Sequence, residues 1–199
     1  GYVSLPDGLL QDTDDITIAT WVNWSGTGSI FQRLFDFGND SNSYMFITPN
    51  ADHPSDKGLL FAITQNSYQN EQRISKGAVS NLQANTWKHV AFVKSGSTGI
   101  LYLDGVEYAR NNNMTLNPAD LGYTTKNYIG KSQFSADPYL NGMVDDFRIY
   151  SRAFTQSEVT DIMAEALSDQ EVVALVKSAL VLDNTNQVVN DIILPGSHI

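Results

Sequence analysis

The sequence predicts an all-β chain: a two-sheet antiparallel sandwich closed by a C-terminal helix and followed by a short additional tail. Three observations predict it. Many short runs rich in Val, Ile, Phe, Tyr and Trp alternate apolar and polar residues with period two. Polar turns such as Gly38-Asn39-Asp40-Ser41-Asn42 and Ser95-Gly96-Ser97-Thr98 separate them regularly. Strands this short and this numerous argue for a sandwich rather than an α/β layout.

Residues 1–6 supply a short edge strand that Pro6 ends. Residues 16–24 alternate β-branched and aromatic side chains and form a long strand, and Gly26 and Gly28 turn it into a strand over 30–37. There Phe31, Arg33, Phe35 and Phe37 share one phase. Strands over 43–48 and 59–64 flank a loop over 49–57 that holds Asp52, His53 and Asp56. A polar stretch around Tyr68 leads into a short strand over 72–75. Residues 86–94 and 99–104 make the clearest hairpin, and Asp104-Gly105 is a dipeptide that favours φ > 0 in a tight turn to 106–110. A loop over 111–123, with one helical turn at 118–121, precedes the last strands over 128–132 and 140–150. Strict alternation puts Met143, Asp145, Phe147 and Ile149 on one face of the last strand, and Val144, Asp146, Arg148 and Tyr150 on the other. Trp21 and Trp87 read as core. The capping box at Thr155 and Glu158 opens a helix whose stripe of Val159, Ile162, Met163 and Ala166 packs back on the sandwich. A second helical pattern follows over 169–180.

The chain has 199 residues, 42% of them hydrophobic, enough for one large all-β core. A net charge of −10 argues against nucleic acid, whose phosphates it would repel. No stretch has the length of a membrane span, so no membrane insertion is expected. Cysteine is absent, so stability comes from the core rather than disulfides. The chain opens directly on a strand-like segment without a signal peptide and reads as a piece excised from a longer protein.

Catalytic patterns are missing. Glycoside hydrolysis needs two carboxylates facing across a cleft. No Glu-x-Asp-x-x-Glu run lies on any strand, and Glu158, Glu165 and Glu171 fall in the C-terminal helices. His53, His89 and His198 are scattered, and His89 reads as a structural histidine. No zinc pattern or phosphate loop is present. The adjacent Asp145 and Asp146 are costly in a sheet unless a cation or Arg148 compensates them.

Gly142-Met143-Val144-Asp145-Asp146-Phe147-Arg148-Ile149-Tyr150 resembles the last strand of the laminin-G-like, concanavalin-A-like jelly rolls that serve as accessory modules in secreted bacterial glycoside hydrolases. Trp21-Val22-Asn23-Trp24 resembles their first long strand, and Trp87-Lys88-His89-Val90-Ala91 with Leu101-Tyr102-Leu103-Asp104-Gly105 their central hairpin. Asn127-Tyr128-Ile129-Gly130-Lys131-Ser132 and Asp137-Pro138-Tyr139-Leu140 resemble the run into the final strand. The resemblance implies a jelly-roll domain over 1–167. Residues 168–199 would be a linker helix and the truncated start of a bacterial immunoglobulin-like module.

By this resemblance the chain is a non-catalytic carbohydrate-binding module of a secreted or cell-surface bacterial enzyme. A catalytic glycoside hydrolase domain would share its parent chain, and an arabinose- or galactose-containing polysaccharide would be its partner. The resemblance also implies a structural calcium, with Asp145 as the leading ligand, Asp146 second, and oxygens from Gly38 and Asp40 completing the set. Sugar recognition uses aromatic platforms ringed by planar polar groups. Trp24, Tyr44, Tyr68 and Tyr139 are aromatics near loops, and Asn66, Gln72, Arg73 and Arg33 supply planar polar groups. Tyr68 leads, because it sits among Gln and Asn residues with no apolar periodicity to explain it. The alternative is a spacer that packs on a catalytic domain without touching sugar.

Overall fold

The computed structural model describes residues 1–77 and 81–165. The expected second helix and immunoglobulin-like segment lie outside the described residues. The strands are β1 (Val3–Leu5), β2 (Ile16–Trp24), β3 (Phe35–Gly38), β4 (Tyr44–Asp52), β5 (Lys57–Thr64), β6 (Gln72–Ile74), β7 (Trp87–Ser95), β8 (Thr98–Leu103), β9 (Val106–Asn111), β10 (Lys126–Ile129) and β11 (Gly142–Tyr150). They form a six-stranded sheet, β1-β10-β3-β4-β5-β6, stacked on a five-stranded sheet, β11-β2-β7-β8-β9. Every pairing is antiparallel.

The inward positions of both sheets make the main core. Phe61 of β5 and Phe92 of β7 stack across the sandwich with ring centroids 3.7 Å apart. Phe35 and Phe37 meet Phe147 edge-on at 5.9 and 6.2 Å. The turn between β8 and β9 carries positive φ at both Asp104 (52°) and Gly105 (74°), as the dipeptide predicts.

A helix, α1, is described over 156–165. Glu158 donates its backbone N–H to the Thr155 hydroxyl at 3.3 Å and accepts the Thr155 N–H at 2.8 Å, the expected capping box. Val159 and Ile162 pack on Ala19, Ala91, Val93 and Tyr102, which point outward from the five-stranded sheet. Ala19 and Ala91 face one another across β2 and β7, and their small side chains make room for the helix.

Three local features depart from simple alternation. The strand expected over 30–37 begins only at Phe35, because Phe31 has φ 62° and Leu34 turns into the core. Phe31 and Arg33 therefore leave the phase of Phe35 and Phe37. The expected loop over 49–57 is mostly strand: β4 runs on to Asp52 across an irregularity between Thr48 and Ala51. In β11 the register shifts between Asp145 and Arg148, with Asp146 at φ 49°. This bulge puts Val144, opposite inward Val22, on the same face as Phe147 and Ile149, and puts Asp145 with Arg148, so the strict alternation expected for the strand fails there. Trp87, expected in the core, is exposed at the start of β7.

Replacing Phe92 by Ala removes half of the inter-sheet stack. It is expected to lower unfolding free energy by about 3–5 kcal/mol in urea denaturation, without loss of the β-sheet circular dichroism signature.

Candidate functional site

With α1 covering one outer face, the outer face of the six-stranded sheet is the place for a site. One rung across it reads Ser4, Tyr128, Asp36, Phe46, Ala62, Arg73. A cleft of about 310 Å³ opens here, lined by Phe31, Arg33, Tyr44, Phe46, Asp52, His53, Tyr68, Glu71, Phe134 and Asp137.

The floor is aromatic. Tyr44 and Phe46, two residues apart on β4, stack with centroids 5.6 Å apart, and Phe134 meets Tyr44 edge-on at 5.5 Å. The Arg33 guanidinium lies 3.8 Å from the Phe46 ring centroid. Its Nε donates to Asp36 at 3.3 Å, one Nη to the Phe31 carbonyl at 2.6 Å, and the other to Asp137 at 2.9 Å. Asp137 also accepts from the Ser132 hydroxyl at 2.8 Å.

The opposite wall is a polar chain. Tyr44 donates its hydroxyl to Glu71 at 2.7 Å, and Arg73 Nε donates to the other Glu71 oxygen at 2.7 Å. Burial and Glu71 raise the Tyr44 phenol above its ordinary value, so it stays a donor. His53, in the β4–β5 turn, packs edge-on to Phe31 at 5.1 Å. Burial and Arg73 lower its pKa, so it is neutral at pH 7 and its 3.7 Å approach to Glu71 is not an ion pair. Its Nε2 has no hydrogen-bond partner among the described residues.

Tyr68 forms the rim and is 54% exposed. It opens a 3₁₀ turn, Tyr68–Asn70, braced by the Thr64 hydroxyl donating to the Ser67 carbonyl at 2.9 Å and by Arg73 donating to the Tyr68 carbonyl at 3.1 Å.

Of the residues singled out from sequence, Tyr68, Tyr44 and Arg33 line the cleft. Arg73 and Asn66 stand behind it: Arg73 holds Glu71 and the Tyr68 carbonyl, and the Asn66 carbonyl accepts from Asn70 at 2.8 Å. Gln72 points elsewhere, donating to Thr115 and accepting from the Leu116 N–H. Trp24 is buried in the core and donates to Gln32 at 3.2 Å. Tyr139 stacks on Tyr2, outside the cleft lining. Sequence reasoning missed His53, Glu71, Phe134 and Asp137. Asp137 was visible only as part of a motif, and nothing local distinguished the others from loop residues.

The residues expected to hold calcium are divided between the two sheets. Asp145 and Asp146 lie on β11, whereas Gly38 ends β3 in the opposite sheet and Asp40 follows it. Asp40 accepts the Asn42 and Ser43 amides at 2.7 and 3.2 Å, and Asp146 accepts from Arg148 at 2.7 Å. Asp145 accepts the Asp146 N–H at 2.9 Å. Among the described residues no group of three His, Cys, Asp or Glu side chains is placed to hold a metal. His89 is buried against Trp21, and burial pushes it down to about 4.

The stacked sheets and the cleft on one open face define a concanavalin-A-like β-sandwich. Residues 1–160 match the family described as the concanavalin A-like lectin/glucanases superfamily, and the chain belongs to it. It is 30% identical over 166 residues to an alpha-L-arabinofuranosidase of Bifidobacterium longum subsp. longum, a match covering 76% of this chain and 15% of that protein. Domain 4 of AbnA, an extracellular arabinanase of family GH43 from Geobacillus stearothermophilus solved with arabinotriose, superposes with a TM-score of 0.61 at 22% identity, covering 80% of this chain and 71% of that one. The CBM40 of a Ruminococcus gnavus IT-sialidase, solved with α2,3-sialyllactose, gives 0.60 at 11% identity, covering 81% and 95%. These two structural likenesses establish the shared fold. No helix among the described residues is long and apolar enough to cross a membrane.

Beneath the cleft, burial pushes the Asp36 carboxyl up from 3.8 to about 7, against the lowering pull of Arg33 and the Gln133 amide. Between those values the folded state keeps a proton that the unfolded state has lost. The Asp36 contribution to stability therefore falls as pH rises from about 4 to about 7 and is level above that. Asp36→Asn removes this slope. In urea denaturation across that range, the variant is expected to gain on the parent chain by a few kcal/mol as pH rises, because each tenfold difference in proton affinity between the folded and unfolded states is worth about 1.4 kcal/mol.

Proposed function

We propose that the chain is a non-catalytic carbohydrate-binding module of a secreted bacterial glycoside hydrolase. Its open-face cleft would hold neutral sugar units of an arabinose- or galactose-containing polysaccharide. The observation that carries this reading is the cleft's composition. The exposed ring of Tyr68 and the part-buried rings of Phe31 and Phe134 stand over a buried base of Tyr44 and Phe46, beside the accessible carboxylates of Asp52 and Asp137. Accessible rings take the apolar C–H face of a sugar, and the Asp52 and Asp137 carboxylates take its hydroxyls.

Charge narrows the class. Three carboxylates and one guanidinium line the cleft, His53 is neutral, and the whole chain carries −10. Arg33 is already engaged by Asp36 and Asp137. Each lining carboxylate is paired, Asp52 with Lys57, Glu71 with Arg73 and Asp137 with Arg33, so these cations are already engaged and a sialic or uronic acid suits the cleft less well than a neutral pentose or hexose. The arabinofuranosidase relative and the arabinotriose-bound neighbour support the choice of arabinose-containing polymers. The match spans only 15% of that relative's length, which suits a module tethered to a catalytic domain that it keeps close to polymer.

One observation favours a docking role as well. Met143 and Trp87 flank Asn23 on one rung of the five-stranded sheet and are both exposed. That face suits contact with a neighbouring domain and leaves the cleft free.

Titration calorimetry tests the sugar reading. Arabino- or galacto-oligosaccharides are expected to bind, and 3′-sialyllactose and oligogalacturonate are not. Tyr68→Ala is expected to weaken binding about tenfold with an unchanged melting temperature, since the ring is exposed. Tight binding of the acidic sugars, or none of the neutral ones, would overturn it.

A further inference from the structure

We infer that Tyr139 is the platform of a second subsite, across the 130–140 loop from the cleft, which stacks a further unit of the same neutral glycan chain. The inference rests on the binding role proposed above.

Tyr139 is 53% exposed, yet its ring is held. It stacks on Tyr2 with the planes 3° apart and centroids 5.8 Å apart. Tyr2 in turn meets Tyr128 edge-on at 5.6 Å. The Lys131 ammonium lies 4.3 Å from the centroids of both Tyr2 and Tyr128. Tyr2 is thus packed by three neighbours, whereas Tyr139 has no ring partner but Tyr2 among the described residues and turns the rest of itself to solvent. Lys131 thus seats its ammonium against Tyr2 and Tyr128 and helps to hold the ring on which Tyr139 stacks. An oriented, half-exposed aromatic face suits a neutral sugar.

The platform is continuous with the cleft. The loop is pinned at its base by the Leu140 N–H donating to the Gly130 carbonyl at 2.9 Å, and by the Gly130 N–H donating to the Leu34 carbonyl at 3.0 Å. It is pinned at its middle by Arg33 on Asp137. Phe134 and Asp137 of this loop line the cleft, and Tyr139 follows Asp137 by two residues, with Pro138 between. Tyr128 shares an outward rung with Phe46 of the cleft floor, two strands away, or about 10 Å at ordinary strand spacing. That span exceeds one sugar ring and lies within reach of a short oligosaccharide. A glycan leaving the cleft over the loop crest at Ser135 and Ala136, both exposed, would meet Tyr139 next.

The test is titration calorimetry of the full chain against linear arabino-oligosaccharides and galacto-oligosaccharides from disaccharide to hexasaccharide. The parent chain is expected to gain affinity with length. Tyr139→Ala should abolish that gain, costing about tenfold on the longest chains and leaving the shortest unchanged. Tyr139→Phe should retain it. Tyr139→Leu keeps apolar contact with Tyr2 but lacks the flat face, so it should behave as Ala and serves if the Ala variant does not fold. Equal affinity of the Leu and parent chains for long oligosaccharides would overturn the platform and leave the cleft standing. If the parent chain binds no oligosaccharide of either series at any length, the binding role falls and the platform falls with it.

Discussion

The open face of the sandwich depends on one buried guanidinium. Arg33 is only 2% exposed, and an arginine in that setting is tolerated only when its charge and donors are matched. Here they are matched by groups from different parts of the chain: Asp36 of β3, the Phe31 carbonyl before it, Asp137 of the loop before β11, and the face of Phe46 on β4. The same contacts build the cleft, because Asp137, Phe31 and Phe46 all line it. Removing the guanidinium would leave Asp36 buried without its partner and the loop without its middle anchor. Stability and the shape of the site are therefore one constraint.

Side-chain size decides which outer face is left open. On the five-stranded sheet, Ala19 and Ala91 face each other and take a helix whose start is fixed by Thr155 and Glu158. On the six-stranded sheet the outward residues Tyr44 and Phe46 are large and flat, and they pack with Phe31 and Phe134 from flanking loops. Phe61 and Phe92 fasten the two sheets between these faces. One face is thus roofed by a helix, and the other carries a shallow cleft over a buried layer of rings.

The strands were legible because period-two alternation is a local property. The hairpin at Asp104-Gly105 and the helix cap at Thr155 were legible for the same reason: each is written within four residues. What escaped was any place where one residue shifts the count. Phe31 at φ 62° and Asp146 at φ 49° each break a phase that simple alternation carries straight through. The first slip sends Arg33 outward to the cleft while Phe35 and Phe37 stay inside. The second moves Val144 to the core face. The cleft itself was only partly legible. Tyr68 stood out by its polar surroundings and Tyr44 by its place beside a turn. His53, Glu71, Phe134 and Asp137 come together only through the pairing of β3, β4, β5 and β6 and the return of a loop more than sixty residues downstream. Gln72 and Trp24 have the right chemistry for a sugar site, but strand phase turns one to Thr115 and the other into the core.

The carboxylates of the cleft bear on what it can do. Glycoside hydrolysis needs one carboxyl that can deliver a proton and another free to attack or to activate water. Glu71 has both oxygens engaged, one by the Tyr44 hydroxyl and one by Arg73. Asp137 is tied to Arg33 and Ser132 through one oxygen. Asp52 sits at the rim in an ion pair with Lys57 at 2.7 Å. The carboxyl whose affinity for a proton is raised, Asp36, is sealed below the floor by Arg33 and the Gln133 amide and does not line the cleft. The carboxyl that keeps a proton and the carboxyls that line the cleft are thus different residues, separated by a guanidinium. An arrangement of this kind favours the binding role proposed above over hydrolysis, because Glu71, Asp137 and Asp52 are held by donors or cations and the carboxyl that keeps a proton lies beneath the cleft.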